Sequence, residues 1–253
     1  MKKILAACAL ASLMGCSTAF YDEAPEGYFQ GSLLVLWIEN TDGDGTGDGK
    51  FVYIPDEGYG NSLTFYRGTR PDGSEPRFPE IKPEWMYTDG GSIPTVAQGV
   101  KGLNPWGYAP AYMVHDWLFV AQKCMTDGKA TDAEKTLEGM TFVESFEIMA
   151  EMIKTLEATN RISPGDVQPR AISWAVSQRV SEGLWNAEGA CDANRITEVE
   201  KKLIAGRLGY DPETGKRVPR VKAVTLPPSG DGLDEAVIEL GPEPVQVISR
   251  ITF

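Results

Sequence analysis

A single histidine, His115, stands in 253 residues, and its isolation excludes several kinds of chemistry at once. No HExxH or other multi-histidine zinc site can be built around it. No GxSxG elbow and no Walker loop is present, since "GYGNS" and "DGGS" match neither pattern. Beyond the first residues no apolar run reaches the roughly eighteen positions that a spanning helix needs. Positive charge is also short: 24 Lys and Arg face 36 Asp and Glu, for a formal net charge of −12. Such a surface repels phosphate backbones and anionic headgroups, which disfavours nucleic acid as a partner and leaves no basic patch to hold a membrane. The hydrophobic content of 42% is enough for a core in one large domain.

What is present begins with "MKKILAACALASLMGCS". Lys2 and Lys3 make a positive end, and Ile4 to Leu13 an apolar run too short to cross a bilayer, so the stretch reads as an export signal. Its end, "LMGC" at Leu13 to Cys16, resembles the lipobox of bacterial lipoproteins, in which the cysteine is acylated and becomes the new N-terminus. That resemblance implies a signal peptide over 1–15, lipid on Cys16, and a mature chain of 238 residues. Loss of Lys2 and Lys3 then leaves 22 basic against 36 acidic residues, a net charge of −14. The membrane would be reached through the lipid. Ser17, where aspartate would retain a lipoprotein at the inner membrane, implies the cell envelope at the outer membrane, facing the periplasm. An ordinary signal peptide with a chance cysteine is the alternative.

Of four cysteines, Cys8 would leave with the signal and Cys16 would carry lipid. Cys124 and Cys191 remain as a candidate disulfide in an oxidising periplasm, with two buried free thiols as the alternative.

Residues 16–30 read as a tether, 31–210 as a single α+β domain, and 211–253 as an irregular tail with short strands. "SLLVLWIE" (Ser32 to Glu39) and "KFVYIP" (Lys50 to Pro55) are β-branched and aromatic runs that predict a hairpin, and "NSLTFYRG" (Asn61 to Gly68) a third strand. From Tyr108 the spacing turns helical, with Tyr112, His115, Phe119 and Gln122 on one stripe and Met113, Trp117, Val120 and Cys124 on its neighbour. Thr131 to Ala158 reads as one long helix opening on a Thr131/Glu134 capping box. Arg170 to Trp185 reads as a third, with Ile172, Ala175, Val176, Arg179, Val180 and Leu184 in register, and Thr197 to Leu208 as a fourth. Trp106, Trp117, Trp174 and Trp185 fall at core spacing. In the tail, "EAVIEL" and "VQVISRITF" are strand-like. Strands first and helices second predict an α+β fold, with N-terminal antiparallel strands packed on a C-terminal antiparallel helical bundle.

Between the first two strands, "NTDGDGTGDG" (Asn40 to Gly49) places Asp42, Asp44, Thr46 and Asp48 two apart, as in a calcium loop with Gly47 at the turn. The twelfth position is Tyr53 rather than glutamate, and strands flank it, so an exposed hairpin turn is the favoured reading.

Two motifs carry the candidate chemistry: "YTDGGSIP" (Tyr87 to Pro94) and "PWGYAPAYMVHDWLF" (Pro105 to Phe119). Together they resemble a domain family of tailed phages and many bacteria, whose members pair a TDGxSIP loop with an HDxLY-type helix and have no established activity. The likeness covers Ile81 to Met140, about a quarter of the chain. Phe119 stands where that family usually has tyrosine, and Glu134 where its next helix often offers aspartate.

Consecutive helical side chains point about 100° apart, so His115 and Asp116 serve different partners rather than each other. A helical His-Asp after a glycine loop also resembles the secreted calcium-dependent phospholipases. That resemblance implies His115 as the base, Asp116, Asp89 and the carbonyls of Gly90 and Gly91 as calcium ligands, and Glu134 or Asp132 as the acid that orients the imidazole. A Ser92/His115 hydrolase dyad is a further possibility. In the bland reading, Asp89 and Ser92 satisfy loop amides, His115 donates to a carbonyl, and Asp116 meets an amide or an arginine. The functional expectation is a lipid-anchored envelope protein with a hydrolase-like site. The alternative is a non-catalytic structural or partner-binding envelope lipoprotein, carried by a prophage, with a protein partner.

Overall fold

The computed structural model describes residues 21–39, 49–55, 62–88, 108–162, 172, 177–209, 223–225, 237–239 and 245–252. Its strands are β1 (Tyr28–Gln30), β2 (Ser32–Glu39), β3 (Gly49–Pro55), β4 (Thr64–Tyr66), β5 (Glu80–Ile81), β6 (Met86–Thr88), β7 (Ala223–Thr225), β8 (Val237–Glu239) and β9 (Val245–Thr252). Its helices are α1 (Ala109–Thr126), α2 (Asp132–Lys135), α3 (Phe142–Ala158), α4 (Arg179–Trp185) and α5 (Glu198–Leu208). Helices and antiparallel sheets make this an α+β protein. Two compact units share the chain: Met1–Gln30, Thr64–Pro83 and Gly90–Asp192 form the first, and Gly31–Leu63, Glu84–Asp89 and Ala193–Phe253 the second.

In the first unit β4 is the central strand of the order β1-β4-β5. Strand alternation puts Phe29, Phe65 and Ile81 on one buried row, cross-paired Phe29↔Phe65↔Ile81. On the opposite face Tyr28 stacks on Tyr66 at 4.6 Å between ring centroids. Gly27 precedes this sheet because nothing larger fits: a Cβ there would lie 2.2 Å from the Tyr66 carbonyl oxygen. The segment expected as a tether is therefore structured from Tyr21 onward. Tyr21 donates from its hydroxyl to Glu157 at 2.5 Å, the Gly27 amide donates to Thr155 Oγ1 at 2.9 Å, and Lys154 Nζ donates to the Asp22 carbonyl at 2.8 Å. All three contacts fasten it to α3.

Helix α1 is buried on almost every side, as an 18-residue helix with alanine and apolar residues on several faces must be. Met113, Trp117, Val120 and Cys124 are all inside, whereas Phe119 and Gln122 are half-buried. The helix stops where Gly128 takes φ 68° and Lys129 N bonds back to the Cys124 carbonyl at 2.8 Å. The single helix expected over Thr131 to Ala158 is instead two, α2 and α3. The Thr131/Glu134 capping box is there, but a second box, Thr141/Glu144, restarts the helix after Gly139 at φ 77°. In the helix expected over Arg170 to Trp185, Ile172 is helical and buried, and α4 starts at Arg179 from an extended Gln178, while the residues between Ile172 and Ser177 lie outside the described ones. Val180 and Leu184, expected inside, are 77% and 49% exposed, while Trp185 is buried as its core spacing predicts.

The second unit holds the order β6-β3-β2-β9. The expected hairpin is present, paired from Leu33↔Pro55 to Glu39↔Gly49. The strand expected in Asn61 to Gly68 is β4, which belongs to the first unit, and β6 lies beside β3 in this sheet. The strand expected at "VQVISRITF" is β9, eight residues along the other edge of β2, with a register shift at Val35/Leu36. β2 was read as a member of an N-terminal hairpin alone, so its free edge went unassigned; an unpaired ladder of amides and carbonyls takes a strand from wherever the chain supplies one. β7 and β8 pair with each other. Leu34, Leu36, Val52 and Ile54 pack with Ile196 and Ile204 of the α5 region. A Thr197/Glu200 capping box opens α5 and Gly209, at φ 78°, closes it. Tyr87 donates to Glu200 at 2.6 Å, and burial first, then this carboxylate, raises the tyrosine pKa.

No helix among the described residues is long and apolar enough to cross a membrane.

Candidate functional site

His115 sits in the middle of α1 and is 7% exposed. Its ring lies 5.0 Å from that of Phe119, one turn further on, as the i,i+4 geometry of a helix requires. Phe119 meets Trp185 edge-on at 5.1 Å, and Trp185 faces Phe142 at 6.2 Å, so α1, α4 and α3 meet in one column of aromatic rings with the imidazole at its end. Phe119 makes its contacts through the ring alone. The hydroxyl of the tyrosine usual in the phage-type motif has no part in them.

Asp116, next in sequence, is half-buried and turned away from that column by the helical step. Its charge helps raise the pKa of Tyr112, behind the larger effect of burial and that of Tyr108. The Tyr112 hydroxyl is buried and finds no hydrogen-bond partner among the described residues. Glu134 is 2% exposed, and its Oε2 accepts the Thr131 amide at 2.6 Å, closing the capping box. Asp132, the other acid considered for orienting the imidazole, is exposed beside Lys135. Asp89, Gly90, Gly91 and Ser92 lie outside the described residues, as do Cys16 and the acidic loop from Asp42 to Asp48. Among the described residues no group of three or more His, Cys, Asp or Glu is arranged to hold a metal ion.

The other end of α1 is locked. Cys124 is joined to Cys191, 67 residues on, by a disulfide. Asp127, just past the helix, accepts the Gly189 amide at 2.7 Å and the Cys191 amide at 2.9 Å, and these two bonds, Cys191 first, hold its carboxyl below the usual range. Lys129 pairs with Asp192 beside them.

A second polar constellation lies on α3 and was missed at the level of sequence. Glu151 is clasped by Arg67, Nε to Oε2 at 2.9 Å and Nη2 to Oε1 at 2.6 Å, with both side chains almost wholly buried. One helical turn earlier, Glu147 is half-buried, and desolvation raises its pKa against the opposing charges of Arg70 and Arg67. Glu147, Glu151, Arg70 and Glu23 line a pocket of about 220 Å³ with the small apolar residues Ala24, Pro25 and Pro71. Among the described residues the side chains of Glu23, Arg70 and Glu147 make no hydrogen bond or ion pair. The legible signal was the i,i+4 pair in "ESFEIMAEMIK": two acids on the face of a helix whose other positions are apolar.

Comparison with protein-family models, curated proteins and solved structures finds no match to this chain.

Proposed function

We propose that the chain is a lipid-anchored protein of the cell envelope that works by binding, tethered through Cys16 at the outer membrane and facing the periplasm, with His115 as a packing residue. The carrying observation is the 7% exposure of His115 at the end of the Phe119–Trp185–Phe142 column. A general base must reach a water or a substrate, and an imidazole buried to 7% with Phe119 against its ring serves packing first. The Cys124–Cys191 disulfide supports export, because such bonds persist in oxidising compartments. Its partner is a protein or small ligand of the envelope rather than nucleic acid. The TDGxSIP and HDxLY-type motifs make a prophage origin part of the reading.

A hydrolase-like site is the second reading, with His115 as base aided by Ser92 or Glu134, and with calcium on Asp116, Asp89, Gly90 and Gly91. Its support is Asp116, which is half-buried with its charge acting on the neighbouring Tyr112. Millimolar calcium and a His115→Gln variant separate the two. Under the binding reading calcium leaves the melting temperature unchanged, and the variant melts lower yet still complements a deletion strain. A calcium-induced rise, since an ion bound only by the folded state must stabilise it, together with unchanged stability and lost complementation in His115→Gln, overturns the binding reading in favour of the hydrolase.

A further inference from the structure

We propose that the pocket beneath α3 in the first unit binds a small amino-carboxylate carrying a second amine, of the size and charge of a free basic amino acid. The inference goes beyond the envelope reading and holds whether or not Cys16 carries lipid.

The fold places several charged side chains against this pocket. Glu151 is already paired, because Arg67 takes both of its oxygens in a bidentate clasp. That clasp fixes one wall of the pocket with no net charge. Glu23, Glu147 and Arg70 line the same space, and their side chains make no hydrogen bond or ion pair with another described residue, although the Arg70 charge acts on Glu147. Two carboxylates and one guanidinium with no hydrogen bond among the described residues call for the opposite set: two cationic groups and one carboxylate on the ligand. A bare dianion is repelled by the two acids. A bare divalent cation meets Arg70 in the wall. A guanidinium receives a carboxylate through paired N–H donors, and a carboxylate receives an ammonium through charge-assisted hydrogen bonds.

Size and shape agree with this chemistry. The volume of about 220 Å³ lies below the roughly 300–1,000 Å³ of pockets that hold drug-sized ligands, which limits the occupant to about a single amino acid. Pro25 and Pro71, stiff in backbone and apolar in side chain, with Ala24, offer a surface for a short methylene chain. Glu147 is also held in a costly state, a carboxylate kept half out of water with no hydrogen bond from a described residue, and an ammonium against it would relieve that cost.

The test is isothermal titration of the full chain in detergent with L-lysine, cadaverine and L-glutamate. Cadaverine keeps both amines without the carboxylate, and glutamate reverses the charge balance. Lysine is expected to bind at millimolar or tighter affinity, with the other two weaker by roughly tenfold or more, the value of a lost charged hydrogen bond. Glu147→Gln is expected to weaken lysine by a similar factor. Arg70→Gln is expected to remove the preference for lysine over cadaverine. The wild-type comparison of lysine with cadaverine requires no substitution, so it stands even if a variant fails to fold. No lysine binding, equal binding of lysine and cadaverine, or unchanged binding in folded Glu147→Gln and Arg70→Gln variants would each overturn the proposal.

Discussion

Arg67 and Glu151, 84 positions apart, meet in two hydrogen bonds of 2.9 and 2.6 Å, with side-chain exposures of 1% and 3%. The pair joins the end of β4 to the middle of α3, so a charge on either side alone would be stranded. The Arg67 Nη1 is already buried without a partner, and losing Glu151 would leave the whole guanidinium so. Glu151→Ala is expected to lower stability by roughly 3–5 kcal/mol, whereas the double change Arg67→Met with Glu151→Leu recovers most of it. Urea unfolding of the three proteins measures both. Equal loss in the double variant would show that the clasp is itself a net source of stability.

Tyr112 gives a prediction of opposite sign. Its hydroxyl is buried with no hydrogen-bond partner among the described residues, so the folded state carries the cost of drying it. Tyr112→Phe keeps the ring and removes that cost, and is expected to raise stability by about 1 kcal/mol. A lower melting temperature would mean that the hydroxyl has a role that packing does not explain.

The lock at the end of α1 combines two contributions with different handles. Closing a loop of 67 residues is worth about 4 kcal/mol in the chain-entropy picture, and replacing Cys124 and Cys191 with serine should cost an amount of that order. Asp127 responds to pH. Because its folded pKa lies below the unfolded one, its contribution is complete above roughly pH 4 and fades as pH falls through the folded value. Asp127→Asn should therefore flatten the acid limb of the stability curve, and a curve unchanged by it would contradict the assignment.

Glu147 works the other way. Its folded pKa is raised by burial, so its favourable share is present below the unfolded value and is lost as pH rises through the folded one. Glu147→Gln should raise the melting temperature at pH 7 and leave it unchanged near pH 4. A gain in stability paired with a loss of lysine binding would mark Glu147 as a residue kept for function.

Sequence periodicity was enough for the hairpin Ser32 to Glu39 with Lys50 to Pro55, for α1 and for α5, because each buries its face close to home. The placements and boundaries that failed depend on distant partners. The strand at Val245 to Thr252 is legible in "VQVISRITF", but its place beside β2 is not, and Tyr21 to Gln30 reads as a tether until α3 supplies Thr155 and Glu157. Gly139 inside a strongly helical run was the visible mark of the break between α2 and α3, outweighed by the apolar spacing on either side. His115 was found because it is alone, whereas the Arg67–Glu151 clasp could not be found from spacing, since nothing local joins residues 84 positions apart.

The measurement that tests the account most directly is the intact mass of the chain purified from membranes, taken after alkylation with and without prior reduction. The account predicts loss of residues 1–15, added lipid mass on Cys16, no alkylated thiol before reduction and two after it. An unprocessed N-terminus with unmodified Cys16, or Cys124 and Cys191 alkylated without reduction, would contradict an exported, lipid-anchored protein locked by that disulfide.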